Sequence, residues 1–163
     1  QKKVEETNTP SMDIQIASNF ERLLYDVKDC NSEVTKGVMA EIKNNTYKID
    51  KKDLDKIKKN FLSEMLNENE TLEMIKKIND EYQMVVDPHT AVGIGAVRKL
   101  GLKKNCVILS TAHPCKFPNA IEDAISKTED LPDSLNYVND RKEKFDILPN
   151  DLEKVKDYVM NSI

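Results

Sequence analysis

No apolar run in this 163-residue chain approaches the roughly 20 residues that a membrane-spanning helix needs, and the opening residues lack the pattern of a signal peptide. Cysteine is scarce. Cys30, Cys106 and Cys115 include no Cys-x-x-Cys pair, which suits free thiols in a reducing, cytoplasmic compartment. Histidine is scarcer, with only His89 and His113. His113 and Cys115 are both potential ligands, but a closed metal site needs more donors than these supply, so no metal is expected. The 4 glycines never cluster, which leaves no glycine-rich loop. Surplus positive charge is also absent: the net charge is −4, so neither nucleic acid nor an anionic membrane is attracted in general. The lysines at 51, 52, 56, 58 and 59 alternate with acids and read as a solvated helix face.

What remains is enough chain for one ordinary domain, with the 39% hydrophobic content of a soluble globular protein. It opens on Gln1 rather than Met, and Lys2 to Pro10 is polar, so residues 1–12 are expected to be flexible and to lie inside a longer protein. Met12 to Ile16 alternate weakly, as a short extended segment would. Ser18-Asn19-Phe20-Glu21 has the spacing of a capping box, and Phe20, Leu23, Leu24 and Val27 form the apolar stripe of the helix that follows. A second helix is expected after Asn31 or Ser32, with Val34, Val38, Met39 and Ile42 inward, ending at Asn44-Asn45. Asp50 caps a third with Leu54, Ile57 and Phe61, and Asn67 or Asn69 a fourth with Leu72, Ile75, Ile78 and Tyr82. Residues 31–82 are thus helical and read as packing.

Residues 84–163 have a different rhythm. Met84-Val85-Val86 meets Asp87-Pro88, an aspartate cap followed by a proline at the first helical position, the strongest helix start in the chain. That helix runs through Val92 and Val97 to Gly101, a left-handed stop. Gly93 and Gly95 lie inside it, where glycine costs roughly 1 kcal/mol against alanine, so close backbone packing is expected there. An apolar strand, Cys106 to Leu109, then ends in Ser110 and Thr111. The turn Ala112-His113-Pro114 leads to a helix from Pro118 to about Lys127, and a last helix capped at Asn150 carries Leu152, Val155 and Val159. Helix, loop, apolar strand, loop, helix indicates an α/β layer with few, mostly parallel strands.

In such sheets ligands bind beyond the carboxyl ends of strands, where Ser110 and Thr111 stand. The helix start at Asp87-Pro88 offers backbone amides and a positive dipole end to an anion. Three stretches sharpen this picture: Pro10 to Leu24 (PSMDIQIASNFERLL), Asp87 to Gly93 (DPHTAVG) and Leu109 to Ile121 (LSTAHPCKFPNAI). Their wording and order resemble the carboxyl-terminal part of threonine synthase, an enzyme family of the tryptophan-synthase-β-like fold (fold type II) that uses pyridoxal 5′-phosphate. The resemblance spans nearly the whole chain and is least diagnostic over residues 31–82.

The resemblance implies conversion of O-phospho-L-homoserine and water to L-threonine and phosphate. It assigns Thr111 to the cofactor's pyridine nitrogen, with Ser110 as the alternative register. His89 and Thr90 line the substrate pocket, or Thr90 merely supports the helix cap. Lys116 meets the substrate phosphate or faces solvent; Asn19 and Arg22 face the cleft or pair structurally. Cys115 replaces the small residue usual in the family's motif. Two parts of the family's machinery are missing: no Phe-Lys-Asp motif carries the Schiff-base lysine, and no glycine-rich loop cradles the cofactor phosphate. The chain therefore holds no catalytic lysine of its own. The expected partner is the missing amino-terminal half of the enzyme, without which the chain is expected to be inactive. The alternative is a non-catalytic helical interaction or regulatory domain derived from the same scaffold.

Overall fold

The computed structural model describes residues 4–138 and 140–162. Of the segment 1–12 expected to be flexible, residues 1–3 lie outside the described residues. The chain divides into two compact units, Gln1–Asp130 and Leu131–Ile163.

Among its described residues the first unit contains six α-helices: α1 (Ser18–Val27), α2 (Ser32–Lys43), α3 (Lys51–Lys58), α4 (Glu68–Tyr82), α5 (Pro88–Lys99) and α6 (Pro118–Ile125). Local chemistry starts most of them. Asn31 accepts the Val34 amide at 3.0 Å, and Asp50 accepts that of Asp53 at 2.8 Å. At α4 a full capping box forms, with Asn67 accepting the Glu70 amide and the Glu70 carboxylate accepting that of Asn67. The box expected at Ser18 does not form: α1 begins at Ser18 itself, after Ala17, and has no side-chain cap. Serine inside the first turn cannot take the capping position, so Glu21 is left to act on the helix dipole alone.

Two cores hold this unit. Leu24, Val38 and Met39 join α1 to α2, with Ile42 and Tyr47 at the margin. Ile75, Ile78, Val86, Ala91 and Ile121 join α4, α5 and α6. Ile75 and Ile121 are fully enclosed, each worth about 2 kcal/mol in apolar surface removed from water. Phe20, Val34, Phe61 and Tyr82, expected inward, are exposed. Phe61 falls past the end of α3, and Tyr82 is the last residue of α4. A salt bridge from Lys28, the C-cap of α1, to the buried Asp53 on α3 ties those helices, and its hydrogen bond raises the Lys28 pKa. The expected extended segment at 12–16 is preceded by a turn, Met12 N–H to Thr9 carbonyl at 2.8 Å. Thr7 donates to Asp13 through hydroxyl and amide at 2.8 and 2.9 Å, while the Asn8 amide reaches Glu68 of α4.

The strand expected at residues 106–109 is not in a sheet. No strand is present among the described residues, Val107 is 94% and Leu109 76% exposed, and only Ile108 is partly covered. A ladder needs a neighbouring strand to receive its N–H and C=O groups, and no described segment offers one. The burial that an apolar strand at Cys106 to Leu109 implies is not met within this chain: one face of the segment leans on α5 and the other is open.

The second unit contains a short 3₁₀ turn, Asp133–Val138, and α7, Leu152–Asn161. Its cap is Asp151, accepting the Lys154 amide at 3.0 Å, one residue after the expected Asn150. The Tyr158 hydroxyl donates to Asp146, which pushes the tyrosine pKa up.

Candidate functional site

The first turn of α5 is closed on itself. Pro88 has no N–H to satisfy. The Asp87 carboxylate accepts the amides of His89 and Thr90 at 3.0 and 3.3 Å, and the Ala91 amide donates to the Asp87 carbonyl at 2.9 Å. The His89 and Thr90 amides are donors that a helix start leaves over, so the expectation of free amides for an anion is corrected: the protein's own carboxylate occupies that place. Asp87 is only 1% exposed.

Thr90 extends the arrangement outward. Its hydroxyl donates to the second Asp87 oxygen and accepts the Thr111 amide at 3.4 Å. Two residues that are far apart in sequence, Thr90 and Thr111, are thereby joined. The Thr111 and Ser110 hydroxyls are exposed, and neither takes part in a hydrogen bond among the described residues. They are free to meet a single acceptor or donor.

His89 closes the other end of the loop. The imidazole is 8% exposed and tilts at 52° against the Phe117 ring, with centroids 5.0 Å apart. Its Nδ1 lies 3.4 Å from an Asp87 oxygen but is not aligned for a hydrogen bond, so both ring nitrogens are buried without a hydrogen-bond partner. Lys116 is exposed, its ammonium 5.9 Å from the Phe117 ring centroid. Between them His113, at the head of a 3₁₀ turn (Pro114–Lys116), accepts the Cys115 amide through Nδ1. Phe117 was not singled out by sequence. The only signal for it is its place before Pro118, which disfavours the helical backbone and is met here by φ −128° and ψ 54°.

The interior glycines of α5 allow the approach. A Cβ on Gly93 would stand 3.2 Å from Ile108, and one on Gly95 would stand 2.3 Å from Leu66. Small residues here let α5 lie against residues 106–109 on one side and the α4 approach on another.

Asn19 and Arg22 are not part of this group. Arg22 lines a cavity of about 650 Å³ between α1 and α2 with Glu21, Lys36 and Lys43. Asn19 lines a different cavity of about 920 Å³ with Phe20, Ile42 and Tyr47. Neither includes His89, Thr90, Thr111 or Lys116. The candidate residues therefore form one connected group on α5 and its facing loop, and a separate pair on α1.

Comparison with known proteins points one way. Residues 90–159 match the family described as threonine synthase, C-terminal. A threonine synthase of Pseudomonas aeruginosa is 36% identical over 155 residues, covering 93% of this chain and 33% of that protein. The Saccharomyces cerevisiae enzyme is 35% identical over 96% of this chain and 36% of its own length. Among solved structures, pyridoxal-phosphate-bound threonine synthase from Brucella melitensis superposes with a TM-score of 0.80 at 35% identity, covering 98% of this chain and 35% of that one. The yeast threonine synthase structure gives 0.77 at 34% identity. The chain spans about a third of the length of the curated relatives it matches.

Proposed function

The chain belongs to the threonine synthase family, as a carboxyl-terminal portion, and from that premise we propose that it forms one wall of a pyridoxal-phosphate-dependent active site. The complete enzyme would convert O-phospho-L-homoserine and water to L-threonine and phosphate. A cytoplasmic place of action belongs to the same proposal and rests on three cysteines that are all free thiols.

The cofactor fits this chain at one edge only. Thr111 has an unengaged hydroxyl on a backbone that Thr90 anchors, which suits one hydrogen bond to a pyridine nitrogen. The cofactor's phosphate has no comparable place, because the α5 amides are already capped by Asp87 and the glycines do not cluster. When bound, the cofactor supplies an electron sink for the substrate's reacting carbon. The chain's own task is to orient the ring and exclude water beside it. Thr111 carries the cofactor contact in this reading, and Ser110 is the alternative register. His89, Thr90 and Lys116 stand on the substrate side, and Asn19 and Arg22 would join them from α1.

Residues 106–109 would be a strand of a mostly parallel sheet completed by the upstream part of the enzyme. The segment is apolar on both faces, the pattern of a strand buried on both sides. One face already has α5, through Ile108 and Gly93. The exposed Val107 and Leu109 would be covered by the partner.

The single observation that carries the proposal is the Thr111 hydroxyl, held by its backbone yet free to bond. Co-expression of the upstream two-thirds with this chain tests it: phosphate release from O-phosphohomoserine should appear only when both are present. A chain that binds the upstream part without restoring turnover would instead favour the non-catalytic interaction domain.

A further inference from the structure

A helix cap needs only the Asp87 carboxylate on the amides of its first turn, and both are satisfied without the Thr90 side chain. The Thr90 hydroxyl nevertheless lies buried, at 5% exposure, between Asp87 and the Thr111 amide. A hydroxyl has one proton and a carboxylate only acceptors. The Thr90 proton goes to Asp87, so Thr90 can meet Thr111 only as an acceptor, and the Thr111 amide is the matching donor. The polarity of the whole chain, carboxylate to hydroxyl to amide, is thus set by Asp87.

We propose that Thr90, held by Asp87, is a positioning residue for Thr111: it anchors the Thr111 backbone so that the hydroxyl stands where the cofactor's ring nitrogen arrives. The inference rests on the Thr111 assignment above and deepens it. A β-branched side chain has few χ1 choices, so anchoring its amide also directs its hydroxyl. The His89–Phe117 contact holds the far end of the same loop, leaving little freedom between. Thr90 acts through Thr111 and touches no reacting atom.

The test uses the complete enzyme and pyridoxal 5′-phosphate. Cofactor affinity is measured by equilibrium dialysis for Thr90→Val, Thr111→Val and the double variant, together with the NMR shift of a labelled ring nitrogen. Thr111→Val and Thr90→Val should each weaken binding about fivefold, the worth of one hydrogen bond. The double variant should be no weaker than Thr111→Val alone, because the two act on one contact. In Thr90→Val the ring-nitrogen signal should move toward its position in Thr111→Val, and Thr90→Ser should restore both readouts. If the losses multiply, or Thr90→Val is silent while Thr111→Val is not, the positioning role is wrong and the Thr111 assignment stands. If Thr111→Val is silent, both fall. Should Thr90→Val fail to fold, Thr90→Ala takes its place under the same criteria: it must lose what Thr90→Ser keeps.

Discussion

The first turn of α5 and the segment 106–109 touch through Gly93 and Ile108, yet they are opposites. In the α5 turn the leftover amides of His89 and Thr90 are both held by the Asp87 carboxylate, and Asp87, His89 and Thr90 are buried. In the segment no backbone ladder forms among the described residues, and Val107 is 94% exposed. A helix start can be completed by three or four residues of its own sequence. A strand cannot, since its hydrogen-bond partners are always on another segment. The closed region is therefore completed from within its own sequence, while the open region leaves its backbone groups without a ladder among the described residues.

The sharpest way to break this comparison is to charge the open face. Val107→Lys with Leu109→Lys should change the urea stability of this chain by less than about 0.5 kcal/mol, as exposed substitutions do. The same pair should lower complementation by the upstream part more than tenfold, because roughly 3 kcal/mol or more is lost when an unpaired charge is buried. Equal effects on both measurements would erase the distinction between the regions.

The closed region should respond in the opposite way. Asp87→Ala removes the acceptor for two amides and for the Thr90 hydroxyl, and should cost about 2 kcal/mol in urea unfolding of this chain. Asp87→Asn keeps an acceptor and should cost clearly less. Next comes Gly95→Ala. Its new Cβ would stand 2.3 Å from a terminal carbon of Leu66, so the leucine must turn away, at about 1 kcal/mol. Leu66→Ala should abolish that penalty. Gly37→Ala is the control: nothing lies within 4 Å, and α2 should gain up to about 1 kcal/mol from the better helix former.

The smallest effect is electrostatic. Hydrogen bonding to Lys99 holds the Glu70 carboxyl below its ordinary value of 4.5. The backbone amide of Asp53 holds Asp50 below 3.8. A carboxyl with a lowered folded pKa adds stability above its unfolded value and loses it as the pH falls through the folded one. Acid unfolding should therefore steepen below about pH 4.5, and Glu70→Gln with Asp50→Asn should flatten that limb in a circular-dichroism titration. Asp50 is exposed and Glu70 partly so, so the change should be small and should shrink further in high salt.

Several elements could be read from residues that act on near neighbours. Asp87-Pro88, Asn67 with Glu70, Asp50 and the stop at Gly101, whose φ is +61°, each behave as their chemistry requires. The same logic misplaced the start of α1, because two adjacent positions, Ala17 and Ser18, compete for the cap and local spacing does not choose between them. Thr111 and Thr90 were both visible as candidates, but their connection was not. Nothing in a separation of 21 residues says that one will accept the other's amide. Phe117 was missed for the same reason, since its role exists only once His89 is folded against it. The grouping of Asn19 and Arg22 with the other candidates rested on shared wording with a family, and in this chain they face cavities of their own.

By itself the sequence determined where most of the helices lie, the greater part of their apolar faces, and the family to which the chain belongs. Those properties follow from hydrogen bonds that close within one turn and from side chains three or four residues apart. Only the tertiary structure decided that Thr90 grips the loop at Thr111 and that residues 106–109 stay open. Each of these depends on which distant groups arrive within hydrogen-bonding distance, and a donor left without a partner inside the chain can be completed only from outside it.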